Sequence, residues 1–168
     1  MKNIIKENLV YIIIIILVIL IKSFVVTPVR VRGRSMLNTL KNNDIMILNK
    51  LSYKTDDIKR FDIVVVKNDN ELIIKRVIGL PGEKISYKNN ELYVNGKKVK
   101  ENFKRVKDED LDDYTIEGEV VPEGYYFVLG DNRPESADSR IIGYIKKEKI
   151  SGKCSYTIFP FSRIGKKK

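Results

Sequence analysis

The chain reads as mostly β: an N-terminal transmembrane helix followed by one β-sheet core with a small β insertion. Three observations predict this. An unbroken apolar run of thirteen residues, Leu9 to Ile21, opens the chain. Beyond residue 30 no amphipathic 3.6-residue period persists for more than a few turns. The remaining apolar residues fall instead in short β-branched runs punctuated by Gly, Pro, Asn and Asp. Of the 168 residues, about 140 lie beyond the apolar stretch, enough for a single domain with a real core.

Thirteen apolar residues are short for a bilayer, which takes about 20. Lys22 and Ser23 interrupt the run, and Phe24-Val25-Val26 resumes it. Lys6 and Lys22 stand roughly 24 Å apart along a helix, and each can snorkel its ammonium to a headgroup layer. Residues 9–26 are therefore expected to span as one anchor, with 1–8 as a cytoplasmic N-terminus. A cleaved signal peptide would need small residues after the apolar run. The sequence offers K-S-F-V-V-T-P, and its only alanine is Ala137. Lys22, Arg30, Arg32 and Arg34 outnumber Lys2 and Lys6, so the positive-inside rule alone would leave the C-terminal part in the cytoplasm.

The strands follow in order. Asp44 to Asn49, Phe61 to Lys67 and Glu71 to Ile78 are β-branched runs, the third closed by Leu80-Pro81-Gly82. Ile85 to Tyr87 and Glu91 to Val94 make a hairpin through Asn89-Asn90, and Asn95-Gly96 is a further turn signal. Glu101 to Glu119, dense in Asp and Glu, reads as an exposed excursion. Pro122-Glu123-Gly124 turns into the buried strand Tyr125 to Leu129, and Ile141 to Ile145 and Ile150 to Phe159 are two more. The β core is assigned to 27–85 and 122–168, and the inserted hairpin with its acidic excursion to 86–121.

Charge and cysteine usage narrow the function classes. The net charge is +10, from 32 Lys and Arg against 22 Asp and Glu. An anionic surface is the expected neighbour, and the apolar segment favours membrane lipid over nucleic acid. A single cysteine, Cys154, excludes an internal disulfide; without histidine there is no Cys/His zinc site. Cys154 sits among apolar residues and reads as a buried small hydrophobe.

The absence of histidine also constrains catalysis. A serine nucleophile needs a base, and histidine usually supplies it. Here the candidate pair is Ser35 in V-R-G-R-S-M and Lys75 in I-I-K-R-V-I-G-L-P-G. Strand alternation puts Lys75 on one face with Ile73 and Val77, and Leu72, Ile74, Arg76 and Ile78 on the other. A free lysine is almost wholly charged at neutral pH; desolvation among those neighbours would release a neutral amine able to act as base. An edge-strand lysine facing water is the competing reading of the run. A third segment, G-D-N-R-P-E-S-A-D-S-R at 130–140, offers hydroxyls and carboxylate–guanidinium pairs that could orient the amine and brace a loop.

Together, in order, these segments resemble the bacterial type I signal peptidases of the single-anchor Gram-positive form. R-G-R-S-M, K-R-F-D-I-V-V-V, I-I-K-R-V-I-G-L-P-G, N-E-L-Y-V-N-G, the 130–140 loop and the closing F-P-F-S-R-I-G carry the resemblance almost end to end. It implies Ser35 as acylating nucleophile and Lys75 as general base, with the Ser35 backbone N–H serving the oxyanion. It implies Ser136 as the hydroxyl that orients the lysine, Asp138 and Arg140 as a bracing pair, and Asp131 and Arg133 as loop supports. Val29, Val31, Met36, Leu40, Ile73 and Ile74 match the substrate pocket. The implied substrates are exported preproteins, cut after small residues, near the export translocon, with the catalytic part outside the cytoplasm and no metal or organic cofactor. Three departures stand out. Arg34, directly before the nucleophile, is bulky and charged, and with Arg30 and Arg32 it reads as a lipid-headgroup contact. Asn38 occupies a position where the family often has proline, and Gly33 occupies one where some members have an oxyanion-donating serine.

Two other functions compete. A self-cleaving repressor-type Ser/Lys peptidase shares a similar β core but carries a DNA-binding domain where this chain has its apolar run. A non-catalytic membrane-tethered module that binds exported chains would have no need of both Ser35 and Lys75.

Overall fold

The computed structural model describes residues 2–69, 71–106 and 120–167. It opens with helix α1 (Lys2–Phe24). The side chains described in α1 are those of residues 8–19, and from Leu9 to Ile19 each is 50–65% exposed. Among the described residues no helix is long and apolar enough to cross a membrane. The helix also stops two residues before the expected end of the span. Val26 is already paired with Asn49, as the first residue of strand β1 (Val26–Arg30), a strand the sequence reading did not assign.

The core sheet adds β2 (Ile45–Asn49) and, after a short helix α2 (Ser52–Thr55), β3 (Ile63–Asn68), β4 (Glu71–Gly79), β8 (Tyr125–Leu129), β9 (Ile145–Lys146) and β10 (Ile150–Phe159). Its order is β1-β2-β10-β3-β4-β8-β9, with β11 (Gly165–Lys166) on β10. Every ladder is antiparallel. The central pair β3–β4 is buried on both faces, which is why Ile63-Val64-Val65-Val66 is continuously apolar rather than alternating. Three apolar clusters flank this sheet. One gathers Val31, Met36, Leu40, Met46, Ile63 and Ile74 with Cys154. A second centres on Val64, Val66, Val77 and Val128, and a third joins Ile78 and Phe127 to the insertion.

The insertion is a separate three-stranded sheet, β5 (Ile85–Lys88), β6 (Glu91–Val94) and β7 (Lys97–Val99), one strand more than the expected hairpin. Asn89 and Asn90 have φ of 50° and 58°, and Asn95 and Gly96 have 50° and 76°. Left-handed pairs of this kind suit tight hairpin turns, and the second one turns the chain back into β7. Two other expectations are corrected. Ile141 to Ile145 is not a strand: Asp138 accepts a hydrogen bond from the Arg140 N–H, and the helical turn α3 (Ser139–Ile142) forms behind it, ended by Gly143. Glu101 is not part of an exposed excursion, because its carboxylate is buried among Tyr87, Arg105 and Arg133. Residues 107–119 of that excursion lie outside the described residues.

Candidate active site

Three segments converge where β4 passes the loops after β1 and β8. Lys75 reaches the site from β4, where it pairs with Val64. Ser35 lies in the turn-rich connection between β1 and β2, half-buried, with the buried Met36 beside it. The 130–140 loop leaves β8, which pairs with β4 through Arg76–Leu129 and Val77–Val128.

The Lys75 ammonium nitrogen lies 2.9 Å from the Ser35 hydroxyl oxygen. Lys75 is 4% exposed. Burial is the main cause of a pKa below the ordinary lysine value; Asp138 pulls it back up and Arg140 pushes it further down. The competing reading of a solvated edge lysine is thereby excluded. A depressed amine within hydrogen-bond reach of a hydroxyl is the arrangement a general base requires.

The loop after β8 holds the Ser35 backbone from both sides. The Asn132 N–H donates to the Ser35 carbonyl (2.9 Å), and the Asn132 side-chain amide donates to the Arg34 carbonyl (3.1 Å). Among the described residues the Ser35 N–H has no acceptor, which leaves it available to an oxyanion. Gly130 makes the approach possible: a Cβ at that position would collide with the Ser136 side chain and with the Ser35 carbonyl. Ser136 does not make the expected hydrogen bond to the lysine. Its hydroxyl is buried and without a hydrogen-bond partner among the described residues, packed against Gly130.

The bracing residues form two buried charge networks. Asp138 accepts from the Gly130 N–H (3.0 Å) and from the Arg140 side chain (2.9 and 3.0 Å), and Arg140 also donates to the Arg133 carbonyl (2.5 Å). Asp131 takes a bidentate pair from Arg76 (2.8 and 2.6 Å) and the Thr39 hydroxyl (2.5 Å). Arg76 donates to the Phe61 carbonyl and lies 3.9 Å from the Phe103 ring centre. Arg133 donates to the Gly130 carbonyl, the Tyr87 hydroxyl and Glu101. Asn132, Arg76, Thr39, Tyr87 and Glu101 were not among the site residues expected from sequence. Two of them carried a signal that could have found them: Asn132 lies in the polar 130–140 loop, and Arg76 is a charge placed within an otherwise apolar strand.

Of the expected pocket residues, Val31, Met36, Leu40 and Ile74 share one cluster with Val29 packed against it. Ile73 does not join them; the pleat turns it to the opposite face, against the Val64–Val77 cluster. Arg34, read as a lipid contact, pairs with Glu135 at 3.4 Å. Cys154 is fully buried and burial pushes its thiol up to about 12, as suits an inert core residue.

Comparison with known proteins places these features in a family. The family model described as "Signal peptidase, peptidase S26" matches residues 2–159. A signal peptidase I from Bacillus caldolyticus is 47% identical over 154 residues, 85% of each chain. A signal peptidase IB from Staphylococcus aureus is 40% identical over 162 residues, 88% of this chain and 85% of that one. The crystal structure of a signal peptidase I from Enterococcus faecalis V583 superposes with a TM-score of 0.53 at 37% identity, covering 58% of this chain and 97% of that one.

Proposed function

The chain belongs to the peptidase S26 family of signal peptidases, and from that premise we propose a Ser35/Lys75 dyad as the means by which it removes signal peptides from preproteins. The observation that carries the dyad is the 2.9 Å contact between a nearly water-free amine and a half-buried hydroxyl. Neutral Lys75 accepts the Ser35 proton as the oxygen attacks the carbonyl carbon of the signal peptide's last residue. The carbonyl oxygen gains the negative charge and takes the Ser35 N–H as donor. The lysine ammonium returns its proton to the departing amine of the mature protein, leaving an acyl-enzyme. Water then gives a proton to Lys75 and attacks the ester, and Ser35 is regenerated.

Ser136 is the proposed partner for the ammonium form, because its hydroxyl is buried, uncommitted and packed beside the Ser35 carbonyl. Asp131, Arg133, Asp138 and Arg140 hold the loop that clamps Ser35. Val29, Val31, Met36, Leu40 and Ile74 form the apolar wall that admits only small side chains before the cut, while Ile73 and Val77, on the β4 face that Lys75 shares, help keep its amine dry. Strand β1 lies at the open edge of the sheet and leads into the Ser35 loop, so an extended substrate can add to it as a further strand. α1 is the single membrane anchor, with the catalytic part outside the cytoplasm beside the export translocon.

Turnover of a preprotein tests the dyad. Ser35→Ala and Lys75→Ala are expected to lower kcat by roughly 10⁴-fold or more; cleavage by either at the wild-type rate sinks it. Only the unprotonated lysine can act, so activity rises with pH from neutral upward, and its acid limb lies below the ordinary lysine range because the pKa is lowered. A rate that stays flat down to about pH 5 removes lysine as the base. Protease digestion of intact protoplasts tests the orientation: the catalytic part is digested if it faces outward and protected if it does not.

A further inference from the structure

Lysines gather where α1 meets the sheet, and none of them serves the Ser35–Lys75 site. The Lys50 N–H donates to the Val25 carbonyl (2.9 Å), fastening the residue after β2 to the residue after α1. A cavity of about 430 Å³ opens at this junction, within the roughly 300–1,000 Å³ of ordinary ligand sites. Lys50, Lys54 and Lys147 line it, the last two exposed, above the buried Ile150 and Gly152 and the half-buried Tyr53. Ser151 completes the lining. It is the extra residue where the β10–β3 register shifts between Ile150 and Gly152, so its backbone polar groups are released from that ladder. The nearest carboxylates along the chain, Asp56, Asp57 and Glu148, are exposed; Asp62, which accepts from the Tyr53 hydroxyl, is paired with Lys153; and none of them lines the cavity. The lining thus carries three lysines, no carboxylate and an apolar floor.

We propose that this cavity binds the headgroup of an anionic phospholipid. The inference rests on α1 being the membrane anchor, since the end of a spanning helix lies at headgroup depth and the cavity is held there through Lys50 and Val25. The lysines suit the phosphate, and Tyr53 and Ile150 suit the glycerol and upper acyl carbons. A soluble phosphate would need no apolar floor and no place beside a helix whose side chains from Leu9 to Ile19 are apolar and exposed.

Native mass spectrometry of the full-length protein in a neutral detergent tests this, with titrations of dioleoylphosphatidylglycerol and dioleoylphosphatidylcholine in parallel. The wild type is expected to retain one phosphatidylglycerol where phosphatidylcholine is stripped. The variant K50Q/K54Q/K147Q is expected to lose about 100-fold of that preference, roughly fivefold per lysine, while cleaving a soluble peptide at the wild-type rate. Equal retention of the two lipids, or an unchanged preference in the triple variant, overturns the proposal. sn-Glycerol 3-phosphate separates the sources: failure to displace the lipid at about 100-fold excess supports a lipid site, and full displacement at equal concentration overturns it. Alkaline-carbonate extraction of membranes reads the anchor independently. Release of the wild-type chain overturns the anchor and the lipid assignment together; a retained chain without phosphatidylglycerol preference overturns the lipid assignment alone.

Discussion

Lys75 sets activity against stability. Its folded pKa is lower than the ordinary 10.5 of a lysine, chiefly through burial. Between those two values the unfolded chain binds more protons than the folded one, so stability rises with pH across that window. The destabilisation is present in full below the folded pKa and is gone above the ordinary value. Lys75→Met keeps the bulk of the side chain and removes the amine. The variant is expected to be inactive and to melt at a higher temperature than the wild type, in line with the gain seen when buried charges give way to apolar groups. Calorimetry at pH 6 and pH 10 checks the cause: the gain should be large at the first and small at the second. An equal gain at both would locate its origin in packing rather than in the proton.

At the scale of elements, the insertion sheet and the catalytic loop are joined by one carboxylate. Glu101 accepts from Tyr87 (3.0 Å) and Arg133 (2.6 Å) and pairs with Arg105 (2.6 Å), while the Val106 N–H donates to the Asp131 carbonyl beside Ser35. The Glu101 side chain is 6% exposed and that of Arg133 is fully buried. Glu101→Ala would leave a buried guanidinium short of its counter-charge, a change that typically costs about 3–5 kcal/mol. We expect a loss of stability of that size, read as a lower melting temperature, and a loss of kcat through the loosened loop; Glu101→Gln, which keeps an acceptor for Arg133 but not the charge, should restore only part of both, and a stable, fully active alanine variant would show that the Glu101 carboxylate does not brace the loop. This tie was not legible in the sequence, because Glu101 is embedded among charges that read as a solvated run, and only the fold brings it to Arg133. The strands β2 to β4 were legible as β-branched runs, but the burial of Lys75 was not: its run alone read as readily as an edge lysine facing water, and only the neighbouring segments taken together pointed to a site. Val26–Arg30 and the Ile141 segment misled for opposite reasons. The first continued an apolar helix, whereas the second was apolar but began behind the capping Asp138, and Ile141 ends 75% exposed.

The molecule as a whole combines an apolar helix with a basic, self-contained sheet, and the boundary between them can be placed. β1 begins at Val26, pairs with β2 along its full length, and leads to Val31, which exchanges backbone hydrogen bonds with Asp44 and Asn43. A fragment beginning at residue 25 therefore removes α1 and keeps every strand, whereas one beginning at residue 32 strips an edge strand and takes Val29 and Val31 from the cluster around Met36 and Leu40. The first is expected to melt cooperatively near the temperature of the full chain and to cleave a soluble peptide with the same pH dependence; the second is expected to unfold well below it. The fragment beginning at residue 25 still carries most of the +10 net charge, so it should sediment with phosphatidylglycerol vesicles in low salt. At about 1 M salt, where the screening length falls to about 3 Å, the fragment should be released while the full chain stays bound through α1. Vesicle sedimentation across a salt series measures both limbs, and a full chain that leaves the vesicles along with the fragment would show that charge alone, and no inserted helix, holds this protein to lipid.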